Sequence, residues 1–214
     1  MPLQNRVLPD GEIVAIPERG TFTGNRGIIH DPATRTLLKR RWTTHAWIVC
    51  VCEFRGRRRA VMAQRSWTEL FFLDEATALA AGHRPCFFCR REDAKRFQAA
   101  WAEGNGVALP KVAVMDGVLH GERLEGEGRG KHKRKSKRLH VLPAAIAALP
   151  DGVMVRDGDV DYAVVGGRPW VWSPRGYRRS ETELSRPFML TPPSTVRAMV
   201  AGYRPVLHSS LTSG

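Results

Sequence analysis

No stretch of this chain reaches the roughly 18 consecutive apolar residues that a membrane-crossing helix needs, so the sequence predicts no transmembrane span. Its first residues, MPLQNRVLPDGE, carry neither a basic start nor an apolar run, unlike a secretory signal. Cysteine is scarce: Cys50, Cys52, Cys86 and Cys89 are the four among 214 residues. Few thiols and no export signal predict a cytoplasmic protein whose cysteines stay reduced and bind metal rather than pair as disulfides. Several chemistries lack their sequence marks. There is no phosphate-cradling P-loop, no nucleophile elbow of the Ser/His/Asp kind, and no RRM or KH signature. Acid is short as well, with 21 Asp plus Glu against 34 Lys plus Arg, leaving a net charge of +13.

That excess concentrates anions around the surface and favours polyphosphate partners. It is also clustered, at Lys39-Arg40-Arg41, Arg55-Gly56-Arg57-Arg58-Arg59, Arg90-Arg91 and Lys131 to Arg138. DNA is the expected partner, although basic loops serve RNA equally well. The residues expected to grip it are Arg26, Arg55, Arg57, Arg58, Arg59, Lys133, Arg134, Lys135, Lys137 and Arg138. Arg26 enters through the glycine-rich run Arg19 to Gly27, whose backbone N–H groups can approach a phosphate. Ala46–Phe54 and Ala60–Gln64 read as a hairpin with its arginine-rich tip at Arg55–Arg59, a shape suited to clamping a backbone or entering a groove.

The chain is organised around FFLDEATALAAGHRPCFFCRREDAKRFQAAW, Phe71 to Trp101. This reads as strand, short helix, cysteine turn and longer helix. Asp74 is placed to cap the first helix, and Gly82 to end it in the left-handed conformation. Cys86 and Cys89 then form a C-x-x-C turn opening a helix, whose N-terminus favours thiolates. Cys50 and Cys52 lie in an apolar strand, where a period of two puts them on one side. Two such pairs can make a tetrahedral zinc site with Cys50, Cys52, Cys86 and Cys89 as ligands. The plainer reading is that Cys50 and Cys52 are small buried apolar residues.

Residues 71–91 resemble the second half of the zinc domain of the bacterial Ada alkylation-response protein. There an aromatic strand leads into an alanine-rich helix and then A-A-G-aromatic-R-P-C-x-x-C-R. Trp42 to Cys50 is similar to the strand carrying that domain's first cysteine. The resemblance covers Trp42 to Arg91, with two departures in spacing: the family's first pair is C-x-x-x-C and this one is C-x-C, and the gap to the second pair is longer, with a basic hairpin inserted. It implies a zinc-stabilised core that sits on DNA, in repair or processing. It also implies that Cys50 holds the position of the thiolate that takes a methyl group from a DNA phosphotriester.

The length suits one large domain or two small ones. Three regions are expected: 1–128 with the zinc core at 42–103, a basic linker at 129–138 that alone would be disordered, and a β-rich region at 139–214. After Pro110, apolar residues recur at helical spacing. Leu142 to Leu149 reads as a short helix. Gly152–Val155, Asp161–Val165 and Pro169–Ser173 read as antiparallel strands joined by tight turns, with Trp170 and Trp172 more consistent with core than with base stacking. A last helix is expected at Val196–Ala201. The fold class is α+β. The alternative function is an enzyme acting on nucleic acid. His120-x-Glu122 with Pro85-Cys86-x-x-Cys89 echoes the zinc-deaminase ligand and proton-transfer set in reversed order, and a nuclease or glycosylase would draw on His30, Asp31, His120, Glu122, His140 or His208. No spacing among these is diagnostic, and the sequence exposes no active site.

Overall fold

The computed structural model describes residues 1–56, 60–127 and 134–211, with residues 127, 134 and 135 described by backbone alone. Arg57, Arg58, Arg59 and Lys133 lie outside the described residues. The fold is α+β, with a β-rich C-terminal half.

Short β-branched and aromatic runs build a six-stranded sheet from β1 (Arg6–Val7), β2 (Ile13–Val14), β3 (Phe22–Asn25), β6 (Ile48–Val51), β7 (Leu70–Phe72) and β8 (Arg84–Pro85), in the order β2-β1-β7-β3-β6-β8. A separate two-stranded ribbon joins β4 (His30–Asp31) to β5 (Thr36–Leu37). β3 is central, antiparallel to both β6 and β7. This corrects the phosphate-loop reading of Arg19–Gly27. A β-carbon added at Gly24 would lie 2.1 Å from the Ile48 carbonyl oxygen, so the glycine lets strands approach. Among the described residues, the expected pairing of 46–54 with 60–64 is also absent. β6 is flanked on one edge by β3 and on the other, in parallel, by β8, leaving no edge for residues 60–64. These form turns, with Met62 fully buried and in the left-handed region at φ 54°.

The second large sheet is a meander of β11 (Met154–Asp157), β12 (Val160–Val165), β13 (Arg168–Ser173) and β14 (Gly176–Arg179), with β15 (Phe188–Met189) added beside β11. Adjacent residues on β11 face different cores. Val155 packs with the helices α2 (Arg91–Gly104), α3 (Val112–Arg123) and α4 (Pro193–Val200), while Met154 packs with Ala163, Tyr177, Leu190 and Leu211. Trp170 and Trp172, both partly buried, pack against this second core. The expected helix at 142–149 is a single 3-10 turn, Ile146–Ala148. Arg134–Lys137, part of the run read as a basic linker, is strand β10, antiparallel to β9 (Leu124–Glu127).

Between the sheets runs α1 (Glu75–Ala80), buried at every position. Leu79 enters the helical core, Ala78 joins the N-terminal sheet's core, and Ala80 joins the C-terminal sheet's second core. Packing on three sides leaves little room between neighbours, which fits an alanine-rich sequence. Its ends are charged to match the helix dipole. At the N-terminus Asp74 accepts from the Thr77 backbone N–H at 2.9 Å and from the Tyr177 hydroxyl. At the C-terminus Lys137 Nζ donates to the Ala80 carbonyl, and Arg123 donates to the Gly82 carbonyl at 2.7 Å. The regions read as N-terminal and C-terminal thus share one core, through Leu79, Phe97 and Trp101 on one side and Val153, Val164 and Met199 on the other.

Candidate metal centre

The cysteine turn begins where β8 ends. β8 runs parallel to β6, with Val49 beside Pro85, and the Cys86 backbone N–H donates to the Val49 carbonyl at 3.0 Å. This sets Cys86 beside Cys50. The Arg90 N–H closes the turn on the Cys86 carbonyl at 3.0 Å, bringing Cys89 round before α2 starts. The sulfurs of Cys50, Cys86 and Cys89 all lie within 4.8 Å of one another. A tetrahedral ion with bonds of about 2.3 Å to sulfur needs neighbouring sulfurs about 3.8 Å apart, a contraction of an ångström or less. Soft sulfur donors converging at this spacing fit a metal ion, and these three residues could hold one.

Charge is already partitioned among the sulfurs. Cys86 is lowered to about 2 by side-chain hydrogen bonds from Cys50 and Cys89, with the backbone N–H groups of Cys89 and Phe88 adding to them. The last of these is a 3.4 Å contact from Phe88 N to the sulfur. Cys50 is raised because its thiol donates to Cys86 and Cys89 and because it is buried. Cys89 is also raised: Cys50 lowers it, but its hydrogen bond to Cys86 and its burial prevail. The three sulfurs therefore form a hydrogen-bonded cluster at the N-terminus of α2, in which Cys86 favours the thiolate.

Two buried arginines flank the turn and fix it. Arg84, on β8, makes a bidentate pair with Asp116 of α3 at 2.7 and 2.8 Å. Arg90, immediately after Cys89, does the same with Glu75 of α1 at 2.8 Å for both bonds, and also reaches Asp93 at 2.8 Å. Glu75 additionally accepts from the Tyr203 hydroxyl at 2.6 Å and from the Val206 N–H at 2.9 Å. Both arginines of the R-P-C-x-x-C-R string thus anchor the turn to helices that contribute no sulfur. The sequence signals this only as arginines beside cysteines, because their acids stand far off in the chain.

Cys52 does not join the group. β6 ends at Val51, its last residue paired with β3, and the chain bends at Cys52. The alternation that would align Cys50 with Cys52 therefore stops, and the exposed Cys52 thiol donates to the Thr21 carbonyl at 3.4 Å. His120 and Glu122 are likewise not brought to the sulfurs. His120 stacks on His45 at 3.9 Å, and Glu122 accepts from the Ser194 N–H and hydroxyl at the start of α4. That removes the deaminase-like arrangement.

The basic residues divide. Arg55 and Arg138 are exposed, with Arg55 at φ 53° and its guanidinium 5.1 Å from the Phe54 ring centroid. Arg134 and Lys135 lie on β10. Arg26, expected on a phosphate, is buried. Its guanidinium lies 3.9 Å from the Trp47 ring centroid, as does that of Arg123, and it donates to the Gly11 carbonyl and to His83. The Lys137 ammonium is turned inward onto Ala80. Its pKa is lowered to about 7, chiefly by burial. Among the described residues, no helix is long and apolar enough to cross a membrane.

Comparison of the chain with family models, with curated proteins and with solved structures finds no match.

Proposed function

We propose that this is a zinc protein that binds nucleic acid, DNA in the first place, in repair or processing. The observation that carries the reading is the convergence of Cys50, Cys86 and Cys89 from a strand and a helix-opening turn. Thiolate donors converging at this spacing suit zinc, as they also suit copper(I) and iron–sulfur clusters. The resemblance of residues 71–90 to the Ada zinc domain supports the same metal and a DNA-facing role. The net charge of +13 supports a polyanionic partner, with exposed Arg55 and Arg138 among its contacts. Zinc would then tie β6 to the N-terminus of α2 and set the turn after β6, with Arg55, beside the cysteine loop.

Two measurements test this. Elemental analysis of protein purified without a metal-affinity tag should find one zinc per chain, lost in Cys50→Ser, Cys86→Ser and Cys89→Ser and kept in Cys52→Ser. Fluorescence anisotropy with labelled duplex DNA should show affinity falling steeply with salt, as phosphate contacts release counterions. Arg55→Ala should shallow the salt slope by about one unit. Protein without zinc, or binding indifferent to salt, removes the corresponding half of the reading.

A further inference from the structure

A tetrahedral zinc site takes four ligands, and among the described residues three sulfurs converge here while the fourth cysteine turns away. The side on which the set meets solvent is defined. Cys50 and Cys86 are buried, whereas Cys89 is half-exposed. Phe88, inside the C-x-x-C turn, is 61% exposed and meets Phe54 edge-to-face at 5.2 Å. Arg55 lies over Phe54 in turn. A phenylalanine left this exposed on a metal-binding turn offers an apolar surface beside a sulfur that solvent reaches.

From the three-sulfur set, the outward thiol of Cys52 and the Phe54–Phe88 pair, we infer that the metal centre keeps an exchangeable fourth position that takes a small exogenous thiolate with an apolar body. This rests on the metal reading above. Softness decides the donor atom, since an ion already held by sulfur prefers another soft ligand. Three thiolates on a divalent ion leave one negative charge, which opposes a further anion, and Arg55 behind the aromatic pair in a strongly basic chain offsets that repulsion. The aromatic pair decides the body, because ring edges and faces add attraction for an aryl or alkyl group beyond simple burial.

The test uses cobalt(II) in place of zinc in the full chain, with thiophenol as the probe and a phosphine as reductant. Cobalt bound by thiolates gives charge-transfer and ligand-field bands that report the donor set. The wild-type protein and Cys52→Ser should give the same three-sulfur spectrum, and thiophenol should shift the ligand-field bands of both in a saturable manner. Phe88→Ala should raise the half-saturating thiophenol concentration about threefold to tenfold, with the cobalt affinity unchanged. Both substituted positions are exposed, so neither variant should lose its fold. A four-sulfur spectrum in the wild type that is lost in Cys52→Ser would overturn the inference, because Cys52 would then close the site. Bands that thiophenol does not move would overturn it as well. An absence of cobalt bands in every variant would instead remove the metal reading on which it depends.

Discussion

Replacing Arg90 by methionine would strand a carboxylate. Glu75 has no side-chain exposure and Arg90 only 2%, so their paired bonds at 2.8 Å are made away from water. Without the guanidinium, Glu75 keeps the Tyr203 hydroxyl and the Val206 N–H, two neutral donors facing a full charge. Breaking a buried pair from one side costs roughly 3–5 kcal/mol, and the methionine stem recovers only packing. Glu75→Gln should cost less. Arg90 then still holds Asp93 at 2.8 Å, a partly exposed partner, and glutamine can still accept from Tyr203 or Val206. The double variant removes both the charge and its partner, so it should lie below the sum of the singles by about 0.5–3 kcal/mol. Urea unfolding followed by tryptophan fluorescence measures all three. A loss under about 1 kcal/mol in Arg90→Met, or strict additivity of the pair, would refute the reasoning that this contact clamps the turn.

Lys137 predicts a pH dependence. Its folded pKa is about 7 and the unfolded value about 10.4. Between those values the unfolded chain binds more protons, so this group's contribution to stability rises with pH across the interval and is lost as pH falls through 7. The urea midpoint of wild type should gain more between pH 6.5 and pH 9 than that of Lys137→Met, and equal gains would sink the assignment. With the thiols of Cys50 and Cys89 raised, loading the apo protein with zinc near neutral pH should release protons. Calorimetry in buffers of different ionisation enthalpy counts them, and a count near zero would contradict the partition of charge. Phe97, fully buried and edge-to-face with Tyr203 at 5.0 Å, should cost about 3–5 kcal/mol as Phe97→Ala. A surface-like loss below 1 kcal/mol would place it outside the core. Gly24→Ala should destabilise by about 1–3 kcal/mol, because its β-carbon meets a carbonyl at 2.1 Å rather than a yielding side chain. A neutral result would mean the strands can part.

Local signals in the sequence were reliable where the structure is local. The Asp74 cap, the left-handed Gly82 at φ 83°, the cysteine turn and the meander strands follow from neighbouring residues alone. The placement of Cys50 beside Cys86 is longer in range, and was legible because two elements of strong pattern carry the sulfurs. The failures share a cause. Glycine in Phe22–Asn25 reads as loop from composition, yet two neighbouring strands decide its state. Cys52 follows the alternation of a strand that ends at Val51 when its partner ends. Arg26 and Lys137 look like surface charge, and only the stacking on Trp47 and the carbonyl end of α1 explain why they turn inward. Arg84 and Arg90 gave no hint of Asp116 and Glu75, because hydrogen-bond partners far apart in the chain leave no periodicity to read.

The acids at the start of α1 also bear on the order in which the chain is made. Glu75 is completed by Val206, 131 residues further on, and Asp74 by the His208 N–H. At about 5–20 residues per second, synthesis takes roughly 7 to 26 s to cover that interval. For that time the first half of the protein exists with Arg90 and Glu75 present but their surroundings open to water, where an ion pair holds weakly. The acids that anchor the sulfur-bearing turn therefore gain their last partners only when residues 203–208 close over α1. A ribosome-bound chain stopped before Tyr203 should expose Cys50 and Cys86 to alkylating reagents from which burial shields them in the finished protein.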